Sequence, residues 1–170
     1  RLKIVVTTMS DSEQLRSQYE EYSYPGHLPY FALPNRGQDL ASIAFPEANQ
    51  ILVAGCGNFE PLVVAAANPH AEITAVDLSQ NSLTILERRL LYAKCTQVLP
   101  HHWFSEGFGK VKTMCADVEQ GDLFESHSFD AVVCTGVLHH SSAPGKMISI
   151  LSRWMRPGAM LRLMQYAPHS

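Results

Sequence analysis

The sequence predicts an α/β fold, a three-layer sandwich in which a mostly parallel sheet carries helices on both faces. Three observations carry this. From Gln50 onward, short apolar runs of strand length alternate with longer segments of helical periodicity. The runs are continuous rather than alternating, as strands buried on both faces are. Glycines or acids stand where the runs end. Strand–helix alternation of this kind specifies parallel strands joined by right-handed crossovers, and ligands of such sheets sit beyond the carboxyl ends of the strands.

The elements follow in order. Ser10-Asp11-Ser12-Glu13 is a capping box, and Leu15, Tyr19 and Tyr22 follow at helical spacing, which predicts a helix over about 11–22. The prolines and glycine of SYPGHLPYFALPN preclude regular structure, and a short helix is expected over 36–44. Residues 1–48 are thus a helical segment before the core of 49–170. In the core, Ile51-Leu52-Val53-Ala54 is the first strand, 59–67 a helix with Pro61 in its first turn, and 72–76 the second strand. Ser79 caps a helix that carries Leu83, Leu86, Leu90 and Ala93 on one stripe, with Glu87, Arg88 and Lys94 off it. Residues 95–109 read as an irregular insertion with Trp103, Phe104 and Phe108. Strands are expected over 110–115 and 129–134 and a helix over 143–155. Pro157-Gly158 then turns into a fifth strand over 160–165.

At 170 residues the chain suffices for one buried core. Hydrophobic residues make up 46% and charged residues 17%, a globular composition. A formal charge of -3 leaves no electrostatic footprint of a nucleic-acid binder. No apolar run approaches the roughly 20 residues of a membrane span, and the opening residues do not read as a signal peptide. Cys56, Cys95, Cys115 and Cys134 are scattered and form no CxxC pair; free buried thiols in a reducing cytoplasm are expected. The doublets His101-His102 and His139-His140 have no acid or thiol at ligand spacing, so no metal site is expected.

The strand ends hold the candidate ligand residues. The first strand ends in Gly55-Cys56-Gly57, where missing side chains allow a tight turn and a close ligand; alone, the same glycines could merely shape a turn. Asp77 ends the second strand twenty residues after Gly57, where a carboxylate can accept from a ribose diol. It could also cap the next helix, but Ser79 serves there. Asp117 follows the third strand, and Gly136 follows the fourth.

ILVAGCG, AVDLS, ADV, FDAVVCTGVLHH and WMRPGAMLRL, in this order and spacing over the 120 residues from Ile51 onward, resemble the motifs of class I, Rossmann-like S-adenosylmethionine-dependent methyltransferases. FDAVVCTGVLHH followed by a helix and RPG is particularly similar to the type 11/12 methyltransferase domains, and SQYEEYSYP resembles a segment preceding the domain in some bacterial members. The resemblance implies S-adenosylmethionine as cofactor and S-adenosylhomocysteine as product. It implies that the turn of Gly55, Cys56 and Gly57 holds the methionine moiety, Asp77 the ribose, and Leu78 one face of adenine. Asp117 would meet the adenine amino group with Val118 beside the ring, while Thr135 and Gly136 line the floor near the methionine end. Tyr19, Tyr22 and Tyr24 lie where such domains place a lid, though they could equally be packing residues. His139 and His140 are candidate general bases, needed only if the acceptor must lose a proton; the same pair also serves as scaffolding in this motif.

Three departures stand out. Phe59 occupies the third glycine position of the family's GxGxG, and Val53 the place, two residues before the first glycine, where many members carry an acid. The helix and antiparallel strand pair that the family adds after the fifth strand are missing, so the core is expected to be truncated there. The exposed edge would then pair with a second copy as a homodimer, and little turnover is expected. A nicotinamide-dependent oxidoreductase needs a further glycine where Glu60 stands. The alternative to an active methyltransferase acting on a small-molecule acceptor is a catalytically silent partner subunit of the same fold.

Overall fold

The computed structural model describes residues 11–22, 43–96 and 109–164. Its elements are α1 (Asp11–Glu21), β1 (Gln50–Ala54), α2 (Glu60–Ala67), β2 (Glu72–Asp77), α3 (Gln80–Thr96), β3 (Lys110–Cys115), β4 (Phe129–Thr135), α4 (Pro144–Trp154) and β5 (Met155–Met164). The five strands form one sheet in the order β3-β2-β1-β4-β5, and every adjacent pair is parallel. The expected α/β sandwich is therefore present.

Residues 51–54 of β1 and 131–134 of β4 are apolar because helices cover both faces there. Ile51 and Val53 point into a core with Leu62, Val64, Leu83 and Leu86 of α2 and α3. Leu52 and Ala54 point the other way, against Met147, Leu151 and Trp154 of α4. Full burial of each large aliphatic side chain stabilises the fold by about 1.5–3 kcal/mol. The predicted α3 stripe of Leu83, Leu86, Leu90 and Ala93 is buried, with Glu87 and Arg88 exposed. After β3 the chain crosses back over the sheet to lay β4 beside β1, so the switch point falls between the ends of these two strands.

Asn68 closes α2 and ties the segment before the sheet to the core. Its side-chain oxygen accepts from Phe45 N–H at 2.6 Å, and its amide donates to the carbonyls of Ile43 and Val64 at 2.9 and 2.8 Å.

Several expectations change. β5 begins at Met155, directly after Trp154, rather than at 160. The register passes from Phe129↔Met155 to Ala131↔Met160, so Pro157 and Gly158 protrude as a bulge inside the strand, the kind of position where a sheet accepts proline. Asp130 pins this bulge: it accepts from Arg156 at 2.5 Å and from the N–H groups of Asn49 and Gln50 at 3.0 and 2.9 Å. Cys56 and Cys134 are free and buried as expected, but Cys115 is exposed, because β3 is an outer strand of the sheet. Ser10, the helix of 36–44 but for its last two residues, Gln165 and the insertion from 97 to 108 lie outside the described residues. Among the described residues no helix is long and apolar enough to cross a membrane.

Candidate functional site

The site is built on the turn after β1. Gly55 and Gly57 both have left-handed backbones, with φ of 65° and 57°, a conformation that β-carbons disfavour. At Gly55 the crowding neighbour belongs to the protein itself: an added β-carbon would come within 2.9 Å of Val137 Cγ1. This glycine thus lets the turns after β1 and β4 close on one another. Between the two glycines, Cys56 donates its N–H to the Val76 carbonyl at 2.9 Å. Burial, reinforced by the charges of Asp77 and Glu60, pushes its thiol well above the ordinary range, so it is no nucleophile.

Asp77, at the end of β2, holds this turn. Its Oδ2 accepts from Gly57 N–H at 2.7 Å and its Oδ1 from Ser79 N–H at 2.9 Å. Burial raises its pKa, the N–H groups of Ser79, Gly57 and Leu78 lower it, and Glu20 adds to the rise. Ser79 caps α3 as expected, its Oγ accepting from Ser82 N–H at 3.1 Å. Leu78 is half-buried. Asp117, also half-buried, caps a short 3-10 turn by accepting from Glu119 N–H at 2.9 Å. The Val118 side chain packs into the core on the α4 side.

Glu60 is a further acid at this edge that no sequence motif marks. It opens α2 immediately before the apolar Pro61-Leu62-Val63-Val64, and that charge ahead of a buried helix was the available signal. Its carboxyl lies 3.6 Å from the Arg162 guanidinium. Arg162 also donates to Thr135 Oγ1 at 3.1 Å. Burial raises the Glu60 pKa, and Thr135 and Arg162 offset only part of that rise. Beside Thr135, Gly136 donates its N–H to the Met164 carbonyl at 2.9 Å.

α1 reaches the site from the side. Glu20 accepts from the N–H groups of Gln80 and Asn81 at the start of α3, at 2.7 and 3.2 Å, and Ser79 Oγ donates to the Tyr19 carbonyl at 3.2 Å. From there the Tyr19 hydroxyl spans to His140 Nε2, at 3.1 Å, on the turn after β4. α1 therefore straps the end of β2 to the end of β4. Burial, then the charge of Asp77, raises the Tyr19 pKa. Burial and the adjacent His139, whose ring centroid is 4.0 Å away, lower that of His140. Tyr22 is 69% exposed and packs in no core, and Tyr24 lies outside the described residues. Among the described residues no three His, Cys, Asp or Glu side chains come together to hold a metal ion.

A parallel sheet whose glycine turn is gripped by an acid at the switch-point edge defines an open α/β domain of the kind that places its ligand at that edge. Residues 52–163 match the model of the methyltransferase domain, and the chain belongs to that family. An uncharacterized protein of Synechococcus sp. is 31% identical over 119 residues, which is 69% of this chain and 25% of that protein. Among solved structures, the [4+2]-cyclase SpnF superposes with a TM-score of 0.65 at 19% identity, over 89% of this chain and 59% of its own. Magnesium protoporphyrin IX methyltransferase from Synechocystis, with S-adenosylmethionine bound, superposes with a TM-score of 0.61 at 17% identity, over 89% and 74%. A methyltransferase-like protein of Bacillus halodurans gives 0.59 at 24%, over 79% and 54%. The chain spans a quarter of the curated relative and 59% of the cyclase.

Proposed function

We propose that this chain binds S-adenosylmethionine at the carboxyl ends of β1, β2 and β4 and presents its methyl group to a small-molecule acceptor. The observation that carries this reading is Asp77, which grips the glycine turn by Gly57 N–H at the switch-point edge of the sheet. Two features of the turn fit the cofactor. Gly57 is left-handed and carries no side chain where Asp77 grips the turn, and Asn58, 1% exposed, has neither amide atom partnered. A buried amide of this kind is costly unless a polar group meets it.

In this reading Asp77 accepts from the ribose with its remaining lone pairs, Leu78 packs on adenine, and Asp117 meets the adenine amino group. Gly55, Cys56 and Gly57 with Thr135 and Gly136 enclose the methionine end, while the Val118 side chain supports the loop from the core. When bound, the cofactor supplies a sulfonium methyl group whose departure leaves a neutral thioether. The protein's part is orientation and exclusion of water. Tyr19 serves as the lid residue, and the Tyr19–His140 hydrogen bond closes the strap of α1. His140, with its pKa lowered, is neutral near pH 7 and can take a proton from an acceptor that must lose one.

Calorimetry with S-adenosylhomocysteine tests the binding, and an assay of its release across acceptor classes tests transfer. Binding without release would support the second reading, a silent partner subunit, which Val53 and Phe59 favour. The exposed Met160, Leu163 and Met164 on the outer strand β5 support self-association through that edge. The free thiols suit a cytoplasmic protein.

A further inference from the structure

Val53 stands where many family members carry an acid, and it has no exposed surface and packs in the core. β1 therefore offers no carboxylate to a cation at the methionine end. Glu60 supplies one just beyond the same glycine turn. It lies three residues beyond Gly57 at the start of α2. Its carboxyl lies 3.6 Å from the Arg162 guanidinium, which in turn donates to Thr135 Oγ1 at the end of β4 at 3.1 Å. These contacts fix it between the ends of β1 and β4.

Arg162 does not use up this carboxylate. Its Nη1 donates to Thr135 Oγ1 at 3.1 Å, and its ion pair with Glu60 at 3.6 Å is longer than a hydrogen bond. Lone pairs of Glu60 are thus open in a half-buried setting, where a charge-assisted hydrogen bond is strong. Because burial holds its pKa up, the ionised form gains from a cation placed beside it.

We propose that Glu60 receives the α-ammonium group of the cofactor's methionine end, in the role of the strand acid that Val53 replaces, with Thr135 and Arg162 positioning its carboxylate. This rests on the reading that the chain binds S-adenosylmethionine. The test is calorimetry on the chain with two probes, S-adenosylhomocysteine and its analogue lacking only the α-amino group. The wild-type chain should bind the amine-bearing probe roughly ten- to hundredfold more tightly. Glu60→Gln should erase that preference by weakening S-adenosylhomocysteine alone.

Equal losses on both probes, or no loss on either, would overturn the assignment of Glu60. A wild-type chain that bound neither probe would overturn the cofactor reading itself, and this proposal with it. Should Glu60→Gln fail to fold, Glu60→Asp decides instead: drawing the carboxylate back by one methylene should reduce the preference for the amine-bearing probe, and an unchanged preference would overturn the proposal.

Discussion

Asp77 carries the most informative perturbation, because it serves the turn and, in our reading, the ligand. Asp77→Ala removes two hydrogen bonds to a carboxylate, from Gly57 N–H and Ser79 N–H. Each is worth about 1.5–3 kcal/mol, a gross loss of about 3–6. Burial of the charge works against this sum, as the raised pKa records. We expect a net destabilisation of about 2–3 kcal/mol, or roughly 5–10 °C in Tm for a domain of this size. Asp77→Asn keeps one acceptor oxygen but turns an amino group toward the other N–H, and should lose about half as much. Thermal unfolding followed by circular dichroism measures this term alone. The ligand term needs a second comparison, S-adenosylhomocysteine against its 2′-deoxy analogue. Wild type should discriminate by roughly tenfold or more, and Asp77→Asn by much less. An unchanged Tm in Asp77→Ala would refute the role in the turn. Undiminished discrimination in Asp77→Asn would refute the ribose contact. The pH dependence has a definite sign. Since the folded pKa is raised, the pH-dependent part of Asp77's contribution to the stability of the ligand-free chain is largest at low pH and declines as pH rises through that pKa, leaving the hydrogen-bond contribution of the ionised form above it.

Three further outcomes follow from single contacts. Asp117→Asn keeps an acceptor for Glu119 N–H and for an adenine amino group, so it should weaken S-adenosylhomocysteine binding less than Asp117→Ala; equal effects would make Asp117 a loop cap only. Asn68→Ala leaves Phe45 N–H and the carbonyls of Ile43 and Val64 without their partner in a buried site. It should destabilise by about 3–5 kcal/mol in denaturant titration, with binding spared in the fraction that folds. At Asp130 burial acts to raise the pKa, but Arg156 and the N–H groups of Gln50 and Asn49 prevail and hold it below the ordinary carboxylate range. Its contribution is therefore present above the unfolded pKa and lost as pH falls through the folded one. Asp130→Asn should remove that part of the acid transition and lower stability at neutral pH by about 1 kcal/mol, the modest figure reflecting a half-exposed Arg156.

What the sequence alone determined is what local patterns encode. Unbroken apolar runs located β1 and β4, because a strand covered on both faces has no polar side to show. The stripe from Leu83 to Ala93 and the cap at Ser79 located α3, because helical periodicity and capping act within a few residues. Glycines and acids at the run ends located the edge where a ligand would lie. Where local and tertiary preferences differ, the local signal misled: Pro157-Gly158 reads as a turn before a strand, yet pairing with β4 carries the ladder through it as a bulge. Cys115 reads as buried, but only the strand order makes β3 an outer strand.

The partnerships were decided by tertiary structure. Asp77 with Gly57, Tyr19 with His140, and Arg162 with both Glu60 and Thr135 join residues from different elements. No periodicity records such pairs. They exist because the crossover after β3 returns the chain to the far side of β1, so that the ends of β2, β1 and β4 converge on one edge. A hydrogen bond forms between groups about 3 Å apart in space, and that separation is set by sheet order, not by distance along the chain.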